Sequence, residues 1–501
     1  MVMLGAALVA ILIENIPALP NLMSFWESFD LGFELGEDIF EMSAGHLVND
    51  FLMALFFLMV GLEIKYEMVA GELKNPRKAL LPIVAAFGGV AVPALIFTVF
   101  NQGTGFEKGW GVPTATDIAF CLGVIALLGN RIPLGLRTFL AAVAIVDDII
   151  AIVVIAVFYT SKFEILWLLG GLALFALLIL INRRHIYSLP TYLVIGLAMW
   201  ACFLLSGVHA TLAGVLLAMT IPAKSEVQMQ KVSAWFKDKA QNAEDRYDPT
   251  QPDIAQMEYL REVGLINRVS KMCIPPAKRL EYILHVPVLF FILPLFAFSN
   301  AVITVVGIDF LGIATNSVVL GVFFGLVVGK PIGIFCASWL VVKLKLSELP
   351  QGVSWKHIAG VAVLGGIGFT MVIFIANLAF VDPLVIGYAK TAILSASLLS
   401  GVTGFTILWW ITRAKSSEVE SYSMEGSATE GLDGTGLYGT ALDGTGPGTA
   451  GPDSLGSDGK GAEGEDVDAV HLLEEAFEDV AKAIAEAAAS EADSSATKKT
   501  L

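Results

Sequence analysis

This sequence is short of charge and of cysteine. Only 16% of its 501 residues are Asp, Glu, Lys or Arg, whereas 56% are hydrophobic. Soluble domains keep about a quarter of their residues charged, so a chain solvated on all sides is excluded. The four cysteines stand far apart, Cys121, Cys202 and Cys336 inside apolar runs and Cys273 in a polar loop. They offer neither a disulfide framework nor a metal-ligand spacing. The first apolar run, 1–19, has no basic region before it and leads on to further apolar runs. It is read as a membrane span, not as a cleaved signal. The net charge of −16 is concentrated at one end: from Lys415 onward there are 19 acidic and five basic residues, a net −14, which leaves −2 for the rest. That acidity says little about substrate.

What the chain has in abundance is apolar runs, many of them near the ~20 residues that a helix needs to cross a bilayer. Twelve spans are predicted: 1–19, 50–68, 79–100, 111–128, 139–159, 166–181, 192–205, 209–221, 286–302, 317–341, 358–380 and 384–410. The basic residues test the count. With the N-terminus inside, the inner loops hold Lys74, Arg77 and Lys78, then Arg131 and Arg137, Arg183 and Arg184, Lys343, Lys345 and Lys356, and Arg413. The outer loops hold little beyond Lys108 and Lys162. This asymmetry is the positive-inside pattern, with both termini cytoplasmic. The expected fold is all-α, with a membrane part over 1–413 interrupted by a charged cytoplasmic insertion at 223–278 carrying one or two surface helices. A Gly-, Asp- and Thr-rich linker at 414–466 is expected to be disordered. An acidic amphipathic helix is predicted at 467–501, with apolar residues such as Val470, Leu473, Phe477, Val480 and Ile484 at helical spacing. It could serve an unidentified partner or simply be solvated.

The residues that carry chemistry are the few charges inside the apolar runs. Asp147 and Asp148 lie mid-run in FLAAVAIVDDIIAIVVIAVFY, ten residues after Arg137 and fourteen before Lys162. Each flank is roughly 15–20 Å away along a helix. An ionisable group at that depth costs about 2.5–3.5 kcal/mol on insertion scales, which folding alone gives no reason to accept. An ion or proton site is the default reading. Adjacent residues on a helix point about 100° apart, so the two carboxylates cannot face one another as in an aspartic protease dyad. One can face a cavity and the other a neighbouring helix. Asp117, in VPTATDIAF, and Lys330, in FFGLVVGKPIG, lie at comparable depth. Lys330 needs a partner, and Asp147 or Asp148 is the obvious one. Pro113, Thr114 and Thr116 disfavour helix beside Asp117, as do Gly365, Gly366 and Gly368 in the eleventh run. Both spans are expected to be broken, freeing backbone groups that must line a cavity or cross another break. Their positions, in the middle of spans 3–5 and 10–12, match an inverted-repeat transporter with its site at the crossing of the breaks.

The chain resembles the NhaA-type sodium/proton antiporters. The resemblance covers residues 1–413 outside the long loop and rests on NDFLMALFFLMVGLEIK (49–65), TATDIAFCLGVIALLGNRIP (114–133), FLAAVAIVDDIIAI (139–152), SGVHATLAG (206–214), AKRLEYILH (277–285), LPLFAFSNA (293–301), VGKPIG (328–333) and GGIGFTM (365–371). It implies exchange of two external protons for one cytoplasmic Na+, or Li+, across the bacterial inner membrane, serving sodium extrusion and pH regulation. It further implies that Asp148 is the main cation-binding carboxylate and that Asp147 pairs with Lys330. Thr116 and Asp117 would complete the site. Glu63, Glu67, Glu281 and His285 match positions of cytoplasmic pH sensing. Tyr66 and Tyr282 depart from the family pattern, which has basic or imidazole side chains there, so the pH set-point is left open. No cofactor is implied beyond the transported ions. A homodimer is implied by analogy. The alternatives are a cation/proton exchanger that also accepts K+, an intramembrane aspartyl protease, which would need its carboxylates on separate facing helices, and a scaffold whose tail recruits partners.

Overall fold

The computed structural model describes residues 2–16, 30–35, 38–43, 45, 47–159, 164–301 and 315–429. Lys162, most of the Gly-rich linker and the acidic C-terminal helix expected at 467–501 lie outside the described residues. The chain divides into two units, one of Met1–Glu226 with Ile274–Lys415 and one of Val227–Cys273 with Ser416–Leu501.

The first unit is helical, because in lipid a helix pairs its backbone groups within itself. Helix α1 is Val2–Glu14. Strands β1 (Asp30–Leu35) and β2 (Asp38–Ser43) follow as an antiparallel hairpin with Leu35 opposite Asp38 and Asp30 opposite Ser43. The sequence reading assigned no strand to this acidic, aromatic stretch. A π-helical turn, Leu47–Leu52, leads into α2 (Met53–Val69), and α3 (Pro76–Asn101) begins with Pro76 behind an N-cap, Asn75, whose side chain accepts from the Arg77 N–H. A 3₁₀ helix, Glu107–Thr114, precedes α4 (Ile118–Leu127) and α5 (Leu134–Phe158). Then come α6 (Ile165–Arg183), α7 (Leu189–Ser206), which ends at Gly207 in the left-handed conformation, and the short α8 (Thr211–Thr220).

The second unit supplies α9 (Met229–Arg246) and α10 (Met257–Met272) from the long insertion. They pack through Val232, Val269 and the half-buried Trp235 and Phe236. Glu262 is buried between them, 2.9 Å from Arg246 Nη1 and 3.5 Å from Lys239 Nζ. The connecting loop is stapled by Gln256, which donates to the carbonyls of Asp248 and Gln251.

The first unit resumes with α11 (Pro276–Pro287), a π-turn at Val288–Ile292 and α12 (Leu293–Asn300). Next are α13 (Ser317–Phe324), a π-turn at Gly325–Gly329 and α14 (Lys330–Lys343). Helices α15 (Trp355–Leu364) and α16 (Phe369–Ala379) are bent by 48° across the glycine-rich break. Helix α17 (Pro383–Thr429) runs past Arg413, the end expected for the membrane part.

Among the described residues nine helical stretches are long and apolar enough to cross a membrane, or ten if α15 and α16 form one bent span. The first and eighth predicted runs carry shorter helices, α1 and α8, so helix length among the described residues supports nine or ten of the twelve expected spans. Glycine sets the closest packing in this unit. A Cβ on Gly333 of α14 would collide with the Gly88 carbonyl of α3, and one on Gly88 with Gly333. Small residues allow backbones in lipid to touch in this way. The contact lies one turn from Lys330 and so holds that side chain inside the bundle.

Candidate ion-binding site

Three interruptions bring the charged residues together. After the 3₁₀ helix the chain is extended at Ala115 and Asp117, which frees the backbone of 115–117 from any helix. The break between α15 and α16 lies against it, and the Asp117 N–H donates to the Ile367 carbonyl at 2.8 Å. The π-turn of Gly325–Gly329 ends at Lys330, whose side chain is fully buried. Helix α5 passes unbroken alongside and contributes Asp147 and Asp148, 1% and 0% exposed.

Lys330 Nζ donates to Asp147 Oδ2 at 2.7 Å and to the carbonyl of Thr114, which the end of the 3₁₀ helix leaves free. Thr116 Oγ1 donates to the same Asp147 oxygen at 2.7 Å, with the Gly365 carbonyl at 3.2 Å as a second acceptor. Asp117 is the N-cap of α4, its Oδ1 accepting from the Phe120 N–H at 3.0 Å. Its Oδ2 accepts from the N–H and hydroxyl of Thr370 at 3.2 and 2.6 Å, in the first turn of α16. One carboxylate thus sits at two helix N-termini, where the partial positive charge of unpaired N–H groups favours an anion. Ser397 of α17 accepts from the N–H groups of Gly368 and Phe369, completing the cap of α16.

Asp148 is different. Both of its oxygens are buried without a hydrogen-bond partner among the described residues, as is Oδ1 of Asp147. An ionised carboxylate held away from water without partners is strongly disfavoured. The three oxygens can be satisfied by a proton or by a small cation. Lys330 compensates one of the two charges on α5 and leaves the other open to such a ligand.

Of the four residues expected to sense pH, Glu63 and Glu67 lie toward the end of α2, and Glu281 and His285 lie on α11. Glu63 is half-buried and feels the charges of Glu281, Lys278 and Glu67. Lys278 Nζ is 2.5 Å from Glu281 Oε1 and lies over the rings of Tyr66 and Tyr282, with centroids at 4.7 and 5.1 Å. The two tyrosines that depart from the family pattern therefore embrace a lysine. His285, on the same helix as Glu281, is exposed. Lys65 caps the C-terminal end of α8, donating to the Met219 carbonyl at 2.8 Å, to that of Ala218 at 3.3 Å and to that of Ile221. A pocket of about 680 Å³ opens beside this group, lined by Tyr66, Glu67, Lys74, Lys78 and Thr138.

Sequence reading missed Thr370 and Ser397 as parts of the crossing. Their signal was Thr370 standing second in a helix that restarts after glycines, where a side-chain hydroxyl faces free N–H groups. Neither residue carries charge, so hydropathy did not mark them.

The family described as Na+/H+ antiporter 1 matches residues 1–408 of this chain. Na+/H+ antiporter NhaA of Wolinella succinogenes is 42% identical over 403 residues, covering 80% of this chain and 88% of that one. Na+/H+ antiporter NhaA 1 of Saccharophagus degradans is 46% identical over 413 residues, covering 82% and 88%. Among solved structures, the sodium proton antiporter MjNhaP1 of Methanocaldococcus jannaschii is similar with a TM-score of 0.41 and 13% identity, over 82% of this chain and 96% of that one. With a family match across the whole membrane part and relatives of this identity over most of their length, the chain belongs to the Na+/H+ antiporter 1 family.

Proposed function

We propose that this antiporter binds its cation at Asp148, with Asp147 beside it, and exchanges one cytoplasmic Na+ or Li+ for two external protons. The observation that carries the reading is the contrast between the carboxylates. Asp117 is fully partnered and Asp147 is partnered through one oxygen, while both oxygens of Asp148 are buried and, among the described residues, unpartnered. A group in that state holds a proton or a cation, and the two compete for the same oxygens. Each arriving ion expels the other, which enforces exchange and suppresses leak. Lys330 neutralises Asp147 when no cation is present, and the Thr116 hydroxyl holds the Asp147 carboxylate in place.

Two protons moving in against one cation moving out carry one net positive charge inward, worth ~2.3 kcal/mol per 100 mV of membrane potential. The potential therefore drives sodium extrusion. Loop charge supports the reading of a bacterial inner-membrane protein with both termini in the cytoplasm. The breaks in 107–127 and 355–379 are read as the paired broken spans of an inverted repeat. Glu63, Glu67, Glu281 and His285 are read as the pH-responsive group at the cytoplasmic mouth, and a homodimer as the assembly.

Asp148→Asn tests the reading. In inverted vesicles carrying a pH-sensitive dye, the variant inserts normally and gives no Na+- or Li+-triggered dequenching. Normal dequenching in that variant would refute the assignment. Running K+ alongside distinguishes a broader exchanger.

A further inference from the structure

We infer that Asn49, Asn300 and Asn377 form a latch that holds the outer side of the bundle shut, and that transport requires it to open in every cycle. The inference rests on the antiport reading above and on its orientation. With the N-terminus inside, the chain enters α2 from the outer face and leaves α12 and α16 toward it. The three asparagines occupy those outer ends, one on each element.

They form a chain of amides. Asn377 Nδ2 donates to Asn300 Oδ1 at 2.7 Å, and Asn300 Nδ2 donates to Asn49 Oδ1 at 2.8 Å and to the Phe296 carbonyl at 3.1 Å. Asn300 is 3% exposed and stands among buried apolar residues. Below the amides the same three helices meet through Phe57, Phe374 and Phe296, with Phe374 centroids 5.9 and 6.2 Å from the other two. Helix α16 links these contacts to the ion site: Thr370 holds Asp117, Phe374 follows one turn later and Asn377 a further turn, ~10 Å from Thr370.

The aromatic contacts are non-directional and tolerate small slides. The amide chain does not, since hydrogen bonds between neutral groups weaken steeply with distance and angle. An outward path between α2, α12 and α16 cannot form while both amide bonds persist. Once they part, water entering from the outer side can solvate the freed groups, so the cost of opening is confined to the moment before wetting. The amides are positioning residues: they touch neither carboxylate and act through the balance between inward-facing and outward-facing states.

That balance makes a side-specific prediction. An ion binding from one face has an apparent affinity scaled by the fraction of protein open to that face. One net hydrogen bond shifts such an equilibrium by about five-fold. In Asn377→Ala the half-saturating Na+ concentration applied from outside falls by up to about five-fold, whereas that applied from inside does not fall. The measurement uses the full chain in proteoliposomes of defined orientation, with Na+ added to one face at a time. Asn49→Ala, at the half-buried end of the chain, gives the same asymmetry and serves if Asn377→Ala does not fold. Equal change at both faces, or no gain in affinity from outside, overturns the latch. An unmodified protein that shows no Na+-driven proton movement would instead refute the antiport reading.

Discussion

At the scale of single residues, the site is a set of buried charges that differ in how well they are satisfied. Lys330 and Asp147 neutralise each other at 2.7 Å with almost no exposure. Removing one member of such a pair typically costs about 3–5 kcal/mol, because the survivor stays buried and charged. Lys330→Met is accordingly expected to lower the melting temperature in detergent, and adding Asp147→Asn to recover much of the loss. Unchanged melting in the single variant would argue against the pairing. Asp147, Asp148, Asp117 and Lys330 were legible in the sequence because a charge inside an apolar run is conspicuous and costly. Thr370, Ser397 and Asn300 were not, because a neutral hydroxyl or amide stands out less than a charge, and their partners come from distant elements that no local pattern reveals.

At the scale of elements, the geometry of the candidate site depends on where helices stop. The extended backbone at 115–117 and the glycine-rich turn at 365–368 release backbone groups that then pair across the two breaks. Proline, threonine and glycine announced both interruptions in the sequence. The π-turns at 47–52, 288–292 and 325–329 were not announced, since a register shift inside an apolar helix leaves hydropathy unchanged. Gly333→Val tests the α3–α14 contact, where the new side chain meets the Gly88 backbone, which has no rotamer to yield. Overpacking of this kind typically costs about 1–3 kcal/mol. The variant is expected to melt lower and to lose exchange as Lys330 is displaced, and wild-type melting would contradict the packing. The insertion hairpin offers a pH prediction. Hydrogen bonds from Thr250 and Gln251 hold the Asp248 carboxyl below the usual aspartate range. A depressed folded-state pKa contributes stability above the unfolded value and loses it as pH falls through the folded one. Amide protection in the 248–256 loop is thus expected to be full above pH ~4 and to drop below it, and to be flat with pH in Asp248→Asn.

At the scale of the whole molecule, the chain joins an almost neutral membrane part to a strongly acidic end. The site draws all its residues from the first unit. A chain ending at Thr429 is therefore expected to keep sodium-driven proton flux, and loss of flux on that truncation would make the acidic segment part of the transport machinery. The membrane class was legible from composition. The β-hairpin at 30–43 was not, because its acidic, aromatic composition suits a loop as well as a strand. The first apolar run was read as 1–19, longer than helix α1, because apolar content persists where helix does not.

The central claim is that protons and sodium displace one another from the same buried carboxylate oxygens. Titration calorimetry of Na+ into the purified protein, repeated in buffers of different ionisation enthalpy, measures it directly. The account predicts that bound sodium releases protons, that apparent affinity weakens as pH falls, and that Asp148→Asn abolishes the heat. Sodium binding that releases no protons and is indifferent to pH would contradict it.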